Sequence, residues 1–160
     1  MLLSPRLYPA LILAGCIAAL VGALVAQFGF GLRPCILCLY QRVPFSLGAV
    51  LALIALLPAV PGPWRARLVW LCAAVLLINS GIAVFHVGVE QHWWEGLAAC
   101  VGAVPKAMTP TELMASLRAP PEPRCDQIPW SLWGISMAGF NIPYSLGLAG
   151  FSAWAARKLG

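Results

Sequence analysis

The sequence predicts an all-α membrane protein, built as a bundle of four transmembrane helices, and three observations support this. Of the 160 residues, 61% are hydrophobic and 9% are charged, whereas soluble domains carry about 25% charged residues. Asp, Glu, Lys and Arg are missing from residues 7–32, 43–64, 68–89 and 127–156. Each gap is long enough for a helix to cross a hydrocarbon core of about 30 Å. The apolar runs also lack the alternation of barrel strands.

The predicted spans are bounded by charges and turns. They cover about residues 8–29, 43–60, 68–89 and 136–156, and the whole chain, 1–160, is predicted to form one membrane domain. A cleaved signal peptide is the alternative for the first span, since Arg6 precedes an apolar run. That run is longer than a signal-peptide core and lacks a clear A-x-A end, which favours a retained helix.

Small residues recur every fourth position in the first span, at Ala14, Ala18, Gly22 and Ala26. A row of this kind lets a neighbouring helix backbone approach closely, which predicts a tightly packed bundle. Alanine-rich apolar filler is the alternative interpretation of the same row.

The basic residues predict the orientation. One side of the predicted bundle carries no acid and holds five basic residues near the termini and the short 61–67 loop: Arg6, Arg65, Arg67, Arg157 and Lys158. Such a concentration marks the cytoplasmic side. Both termini are therefore predicted to be cytoplasmic, and the loops at 31–42 and 90–135 to face outward. The basic residues do not cluster on one soluble face, so the net charge of +5 indicates topology and no nucleic-acid partner.

The second outer loop is predicted to contain a short amphipathic helix. Thr109-Pro110-Thr111-Glu112 fits a capping box with proline at the first helical position. Leu113, Met114 and Leu117 share one face of the helix that follows. In a loop that starts and ends at a membrane, such a helix is expected to lie on the membrane surface.

The six cysteines divide into three groups. Cys35 and Cys38 lie in the first outer loop and Cys100 and Cys125 in the second, so these two pairs share the oxidising side of the membrane. The last two, Cys16 and Cys72, fall inside predicted spans and are interpreted as small buried hydrophobic residues.

The C-x-x-C motif of Cys35 and Cys38 is compatible with several chemistries. Haem attachment would need histidine after the second cysteine, and Leu39 stands there. A four-cysteine zinc site is disfavoured because the second pair is 25 positions apart and arginines flank the first, so no metal is predicted. A redox dithiol fits best, since Arg33 and Arg42 favour the thiolate. Its position at the membrane edge suits exchange with a lipid-soluble oxidant.

Cys100 and Cys125 complete a relay in this interpretation. They are expected in an exposed loop, where a soluble partner's thiolate can reach one of them and form a mixed disulfide. A purely structural disulfide between them is the alternative.

The residues that carry this chemistry also resemble a known family. The stretch CILCLYQR, residues 35–42, resembles the C-x-x-C-x-Y-x-R signature of the DsbB family, and RCDQIPWSLWGISMAGFN, residues 124–141, is similar to that family's passage into the last helix. The resemblance covers nearly the whole chain. It implies a multi-pass thiol:quinone oxidoreductase of the bacterial inner membrane, with its active cysteines periplasmic. The implied partner is a DsbA-like thioredoxin-fold protein, and the implied cofactor is ubiquinone or menaquinone.

The resemblance also implies a role for each site residue. Cys100 would form the mixed disulfide with the DsbA-like partner, and Cys125 would then attack Cys35. Cys38 would be released as a thiolate and interact with the quinone. Arg42 would stabilise that thiolate and the negative charge that develops on the quinone.

His86 and Glu90 are one helical turn apart near the outer end of the third span. A polar pair within a span predicts a functional role, such as quinone binding or proton delivery, and a polar pair at a helix end is the alternative.

Three other functions remain open from the sequence. One is a DsbB paralogue that serves another thioredoxin-fold partner. A second is an oxidoreductase resembling vitamin K epoxide reductase, which the order of the cysteine pairs disfavours, because in that family the C-x-x-C comes late in the chain. The third is a non-enzymatic membrane scaffold or transporter whose outer loops are held by disulfides.

Overall fold

The computed structural model describes residues 4–97, 100, 109–111, 114 and 123–160. Within these residues the chain forms four long helices, which confirms the predicted fold class. Helix α1 covers Leu7–Leu24 and continues as a π-helical segment, Val25–Gly29. Helix α2 covers Ile36–Leu56, α3 covers Gly62–Glu90, and α4 covers Met137–Leu159. Two short strands, β1 at Ser131–Leu132 and β2 at Ile135–Ser136, precede α4.

Among the described residues, three segments are long and apolar enough to cross a membrane by length and composition: Leu7–Gly29, Ile36–Leu56 and Gly62–Glu90. Helix α4 has 23 residues, a length of about 35 Å at 1.5 Å per residue. It is more polar than the others, and its Ser145 and Ser152 are fully buried. These two hydroxyl groups therefore face the other helices.

The helices α2 and α3 begin earlier than predicted, at Ile36 and Gly62 instead of residues 43 and 68. The prediction began each span after its last charge. In the structure, the Cys35 side chain caps α2, which extends that helix across Arg42. The first turn of α3 contains Arg65, whose guanidinium donates to the Ala55 carbonyl at the end of α2 (2.8 Å).

Helix α3 packs against α2 and α4, and α1 packs against α2. Fully buried Ile12 of α1, Val69 and Leu76 of α3 and Ala52 of α2 belong to one apolar core. The termini and the α2–α3 turn lie at one end of this antiparallel arrangement, and Cys35 and Glu90 lie at the other.

The β1–β2 hairpin was not predicted. Ser131 pairs with Ser136 and Leu132 with Ile135. The two residues between the strands, Trp133 and Gly134, both have positive φ (52° and 79°), as a two-residue type I′ turn requires, and glycine accepts this conformation without strain.

The predicted surface helix of the second outer loop falls largely outside the described residues, which include Thr109, Pro110, Thr111 and Met114 of that segment.

Candidate redox site

The C-x-x-C pair lies at the beginning of α2. Cys35 is the N-cap residue, and its Sγ accepts a hydrogen bond from the backbone N–H of Cys38 (3.3 Å). The two sulfurs are 2.7 Å apart. Cys35 is buried, with 4% of its surface exposed, whereas Cys38 is half-buried. The motif therefore has a buried sulfur and a more accessible one.

The pKa of Cys35 lies below the ordinary thiol value. The largest cause is the hydrogen bond with the Cys38 side chain; burial opposes it, and the nearby His86 lowers the pKa further. The N-terminus of a helix also favours a thiolate. The surroundings of Cys35 thus favour its thiolate form, and the thiolate role of Cys38 towards a quinone stays a prediction.

His86 and Glu90 lie beside this pair. The Nε2 of His86 is 3.5 Å from the Cys35 sulfur and 3.8 Å from Oε1 of Glu90. Ser136 donates a hydrogen bond to the other carboxylate oxygen of Glu90 (2.5 Å). Both His86 and Glu90 are buried, so the structure brings this polar pair into the site instead of leaving it at a solvated helix end.

A cavity of about 440 Å³ adjoins the cysteines, bounded by α1, α2 and α4. Its size is within the range of small-molecule sites. Its wall is mainly apolar and includes seven polar or reactive side chains: Arg33, Cys38, Gln41, Arg42, His86, Asn141 and Tyr144.

The small residues of α1 form part of the cavity wall. Ala18, Gly22 and Ala26 line it, although the sequence predicted that this row would permit close helix packing. Ala18 and Gly22 are exposed. A row of small side chains also leaves free volume beside a helix, and in this bundle that volume lies between α1 and α4.

Arg42 lies at the wall of the cavity and is hydrogen-bonded to α1 and its π-helical continuation. Its Nη1 donates to Oε1 of Gln27 (2.8 Å) and its Nη2 to the Ala23 carbonyl (3.5 Å). Its Nε is buried and has no hydrogen-bond partner among the described residues. Within the same residues Arg42 forms no salt bridge. Among the described residues the guanidinium therefore has no acidic partner, and its Nε is a buried donor without an acceptor.

The second cysteine pair lies directly against the first. Cys100 and Cys125 form a disulfide, and both are buried, with 1% and 0% of their surfaces exposed. They pack in one apolar cluster with Cys35, Leu37 and Val89. The expectation of an exposed loop pair is wrong for this state, because the loop folds its cysteines onto the N-terminal end of α2. A zinc site of four cysteines is also excluded here, since two of the sulfurs are bonded to each other.

Comparison with known proteins identifies the family. The family model for disulfide bond formation protein DsbB matches residues 5–155. The chain belongs to the DsbB family.

Curated members of the DsbB family support this assignment. The disulfide bond formation protein B of Saccharophagus degradans is 30% identical over 149 residues, covering 90% of this chain and 88% of the relative. That of Xanthomonas campestris pv. campestris strain 8004 is 31% identical over 153 residues, covering 89% and 85%. Among solved structures no significant match was found. Membership makes this chain a multi-pass membrane oxidoreductase that generates disulfides.

The geometry that this DsbB-family chain uses for its dithiol also resembles a metal site. The ligand atoms of Cys35, Cys38 and His86 lie within 4.8 Å of one another. Thiolates and imidazole suit a thiophilic ion such as Zn²⁺. The prediction that no metal is bound therefore stays a prediction.

Three polar residues around the site were missed by sequence reasoning: Gln27, Gln41 and Asn141. Gln41 lies within the DsbB signature itself, between Tyr40 and Arg42. An amide in a charge-free apolar segment is expensive to bury and therefore signals a specific partner, which would have pointed to Asn141. Their convergence from three helices could not be predicted, because it depends on how those helices pack.

Proposed function

We propose that this protein reoxidises a periplasmic DsbA-like dithiol protein and passes the two electrons to a membrane quinone. One observation carries the proposal. Cys35 packs against the Cys100–Cys125 disulfide, while Cys38 lines the cavity that also contains Arg42. The C-x-x-C pair thus lies between the loop disulfide and a pocket of ligand size.

The first exchange takes place at the loop disulfide. A thiolate of the partner attacks Cys100, which breaks the Cys100–Cys125 bond and leaves Cys125 as a thiolate. Because Cys100 is 1% exposed, the loop must move away from Cys35 before the partner can reach this sulfur.

The second exchange takes place within the site. The Cys125 thiolate attacks Cys35 of the oxidised C-x-x-C pair, the Cys35–Cys38 bond breaks, and Cys38 leaves with the electron pair. Cys38 then faces the cavity, with Arg42 four positions further along the same helix face. Arg42 stabilises the negative charge at this position because no acidic partner among the described residues neutralises it.

The residues of the cavity suit a quinone. A quinone supplies the terminal acceptor for two electrons and two protons, so a dithiol and a quinone become a disulfide and a quinol. The apolar wall accommodates the ring and tail, and the Nε of Arg42, which has no acceptor among the described residues, suits a carbonyl oxygen that gains negative charge. Ubiquinone and menaquinone share this dione chemistry.

The proposed orientation puts the cysteines on the periplasmic side. Arg65 and Arg67 lie in the first turns of α3, and Arg157 and Lys158 in the last turn of α4, all at the opposite end of the bundle. The Arg67 guanidinium lies 4.8 Å from the ring centre of Trp64, an arrangement suited to a membrane interface.

The proposal is tested with purified protein, ubiquinone or menaquinone, and a reduced DsbA-type protein, by following quinone absorbance. Steady loss of quinone with one partner disulfide formed per quinone consumed is expected. Cys38→Ser should abolish turnover, whereas Cys72→Ser, which changes a buried core thiol, should retain it.

Absence of turnover with both quinones would contradict the proposal, as would undiminished turnover by Cys38→Ser. A second thioredoxin-fold dithiol protein, assayed in parallel, distinguishes a DsbA-type oxidase from another partner.

A further inference from the structure

We propose that Gln41 and Asn141 are positioning residues that fix the tautomer of His86, so that its Nε2 carries the proton and donates towards Cys35. The inference rests on the proposed function for its catalytic consequence, but the tautomer itself is a separate, measurable property. It concerns a buried chain of side chains that the family signature does not explain.

Six side chains from three helices and the α2 N-cap form one continuous hydrogen-bonded chain. In order from the core to the site these are Asn79, Ser145, Asn141, Gln41, His86 and Cys35. Asn79 Nδ2 donates to Ser145 Oγ (2.8 Å), and Ser145 Oγ donates to Asn141 Oδ1 (2.9 Å). Asn141 Nδ2 donates to Gln41 Oε1 (2.5 Å). Gln41 Nε2 contacts His86 Nδ1 (2.8 Å), and His86 Nε2 contacts Cys35 Sγ (3.5 Å).

The direction of this chain determines where the His86 proton resides. An amide offers an acceptor at its oxygen and donors at its nitrogen. The oxygen of Gln41 is occupied by the Asn141 donor, so the nitrogen of Gln41 faces His86 and can only donate. The Nδ1 of His86 must therefore be the acceptor, and a neutral imidazole then carries its proton on Nε2.

The hydrogen-bonded series of side chains begins at Asn79, in the core of the bundle. Asn79 is fully buried, and its Oδ1 has no hydrogen-bond partner among the described residues. Asn79 Nδ2 also donates to Asn141 Oδ1 (3.5 Å), so this oxygen accepts from both Asn79 and Ser145, and the Asn141 nitrogen is left to face Gln41. If the Asn141 amide flipped and presented its oxygen to Gln41, the Gln41 amide would also have to flip. Its oxygen would then face His86, whose proton would have to move to Nδ1.

The consequence for the reaction concerns the release of Cys35. The partner's second thiolate first breaks the mixed disulfide, forming the partner's own disulfide and releasing Cys100 as a thiolate. When Cys100 then attacks Cys125 and re-forms the loop disulfide, the Cys35–Cys125 bond breaks and Cys35 takes the electron pair. A proton on His86 Nε2 stabilises this leaving thiolate, and a better-stabilised thiolate leaves faster. Glu90, the acidic group facing Nε2, lies at 3.8 Å, beyond hydrogen-bond length, so Cys35 is the acceptor.

The test is nitrogen NMR of the imidazole rings in ¹⁵N-histidine-labelled, reduced protein in detergent micelles. The chain contains two histidines, and His92→Gln assigns the signals. The wild-type protein is expected to show His86 with the proton on Nε2. A wild-type His86 with its proton on Nδ1 would overturn the proposal, and this result needs no variant to fold.

Two variants test whether Asn141 determines the tautomer of His86 through Gln41. Asn141→Asp presents an acceptor to Gln41. The Gln41 amide should therefore flip so that its oxygen faces His86, and the imidazole proton should move to Nδ1. Asn141→Leu removes the constraint and gives a mixture of both tautomers. Ser80→Ala is the matched control, because Ser80 is a buried hydroxyl next to Asn79 that donates to the Ile142 carbonyl and lies outside the chain. Tautomers unchanged in both Asn141 variants would also overturn the proposal.

A kinetic measurement separates positioning from general destabilisation. Asn141→Asp should lower kcat by about 10²-fold, the lower end of the range for general acid–base groups. The KM for the DsbA-like partner should stay unchanged, as should both constants in Ser80→Ala. If wild-type protein turns over no quinone while His86 carries its proton on Nε2, the proposed function fails and the positioning stands. If a variant with the altered tautomer keeps the wild-type kcat, the tautomer of His86 does not affect the reaction.

Discussion

The guanidinium of Arg42 reaches from α2 to α1, where its Nη1 donates to the side-chain oxygen of Gln27 over 2.8 Å. This contact joins the first cysteine motif to the helix that forms the opposite wall of the cavity. The hydrogen bond uses one terminal nitrogen of the guanidinium, while Nε stays buried without a partner among the described residues. Gln27 is neutral, so the contact orients the guanidinium without cancelling its charge.

Replacing Arg42 by a neutral residue should impair quinone reduction more than partner binding. Arg42→Gln removes both the charge and the buried donor, and the loss of such a donor lowers kcat by about 10²–10³-fold. The KM for the quinone should rise and the KM for the DsbA-like partner should stay unchanged, as measured by varying each substrate separately.

Two companion variants sharpen this prediction. Arg42→Lys keeps the charge but loses the planar fork, so an intermediate defect is expected. Gln27→Ala leaves Arg42 intact but unoriented and should cost about tenfold or less. The assigned role is wrong if Arg42→Gln retains the wild-type quinone KM and turnover.

Gly88 makes room for Trp94 at the outer end of α3, and its replacement should loosen the loop that carries Cys100. A methyl group at Gly88 would overlap the indole of Trp94. That indole stacks on Phe85 and donates from Nε1 to the Phe85 carbonyl (3.0 Å). Gly88→Ala should therefore destabilise the protein by about 1–3 kcal/mol, measured by thermal unfolding in detergent.

Gly81 is the matched control in the same helix, because a methyl group there meets nothing within 4 Å. Gly81→Ala should be neutral or stabilising by up to about 1 kcal/mol, since alanine is the better helix former. Equal midpoints for the two alanine variants would refute the role assigned to Gly88.

The fold was predictable because each span is a long run without charges, and hydropathy alone identifies such runs. The start of α2 at Ile36 was not, since the cap by Cys35 and the hydrogen bonds of Arg42 offset the cost of a charge near the helix start. The motif likewise singled out Cys35, Cys38 and Arg42, which the structure places together at the beginning of α2. The burial of Cys100 and Cys125 against them depends on loop packing, which no local pattern encodes.

Cys16 and Cys72 should be dispensable for electron transfer, as their positions in the apolar core indicate. Both are fully buried, and the Cys72 thiol donates to the Gly48 carbonyl (3.6 Å). The double variant Cys16→Ala/Cys72→Ala should keep turnover within about twofold of wild type and lose roughly 1 kcal/mol of stability per removed sulfur. Quinone turnover and thermal unfolding measure the two effects, and a folded double variant without turnover would show that one of these thiols takes part in the reaction.

Ser136 connects the start of α4 to the buried carboxyl of Glu90. Its Oγ donates to Glu90 (2.5 Å) and accepts from the Gly139 backbone N–H (3.0 Å), so one hydroxyl caps α4 and satisfies a buried acid. Ser136→Ala should destabilise the protein by about 2 kcal/mol, combining a lost cap with a lost bond to a carboxylate. Ser136→Thr, which keeps the hydroxyl, should cost much less.

A double-mutant cycle with Glu90→Gln separates the two contributions of Ser136 in denaturant titrations. If the hydroxyl stabilises the acid, Ser136→Ala should cost less in the Glu90→Gln background, and the difference should approach 1 kcal/mol or more, as for contacting residues. The remaining cost then comprises the cap and the weaker hydrogen bond to a neutral amide oxygen. Strictly additive effects would show that Ser136 acts only as the cap of α4, and that the stability of the buried Glu90 comes from elsewhere.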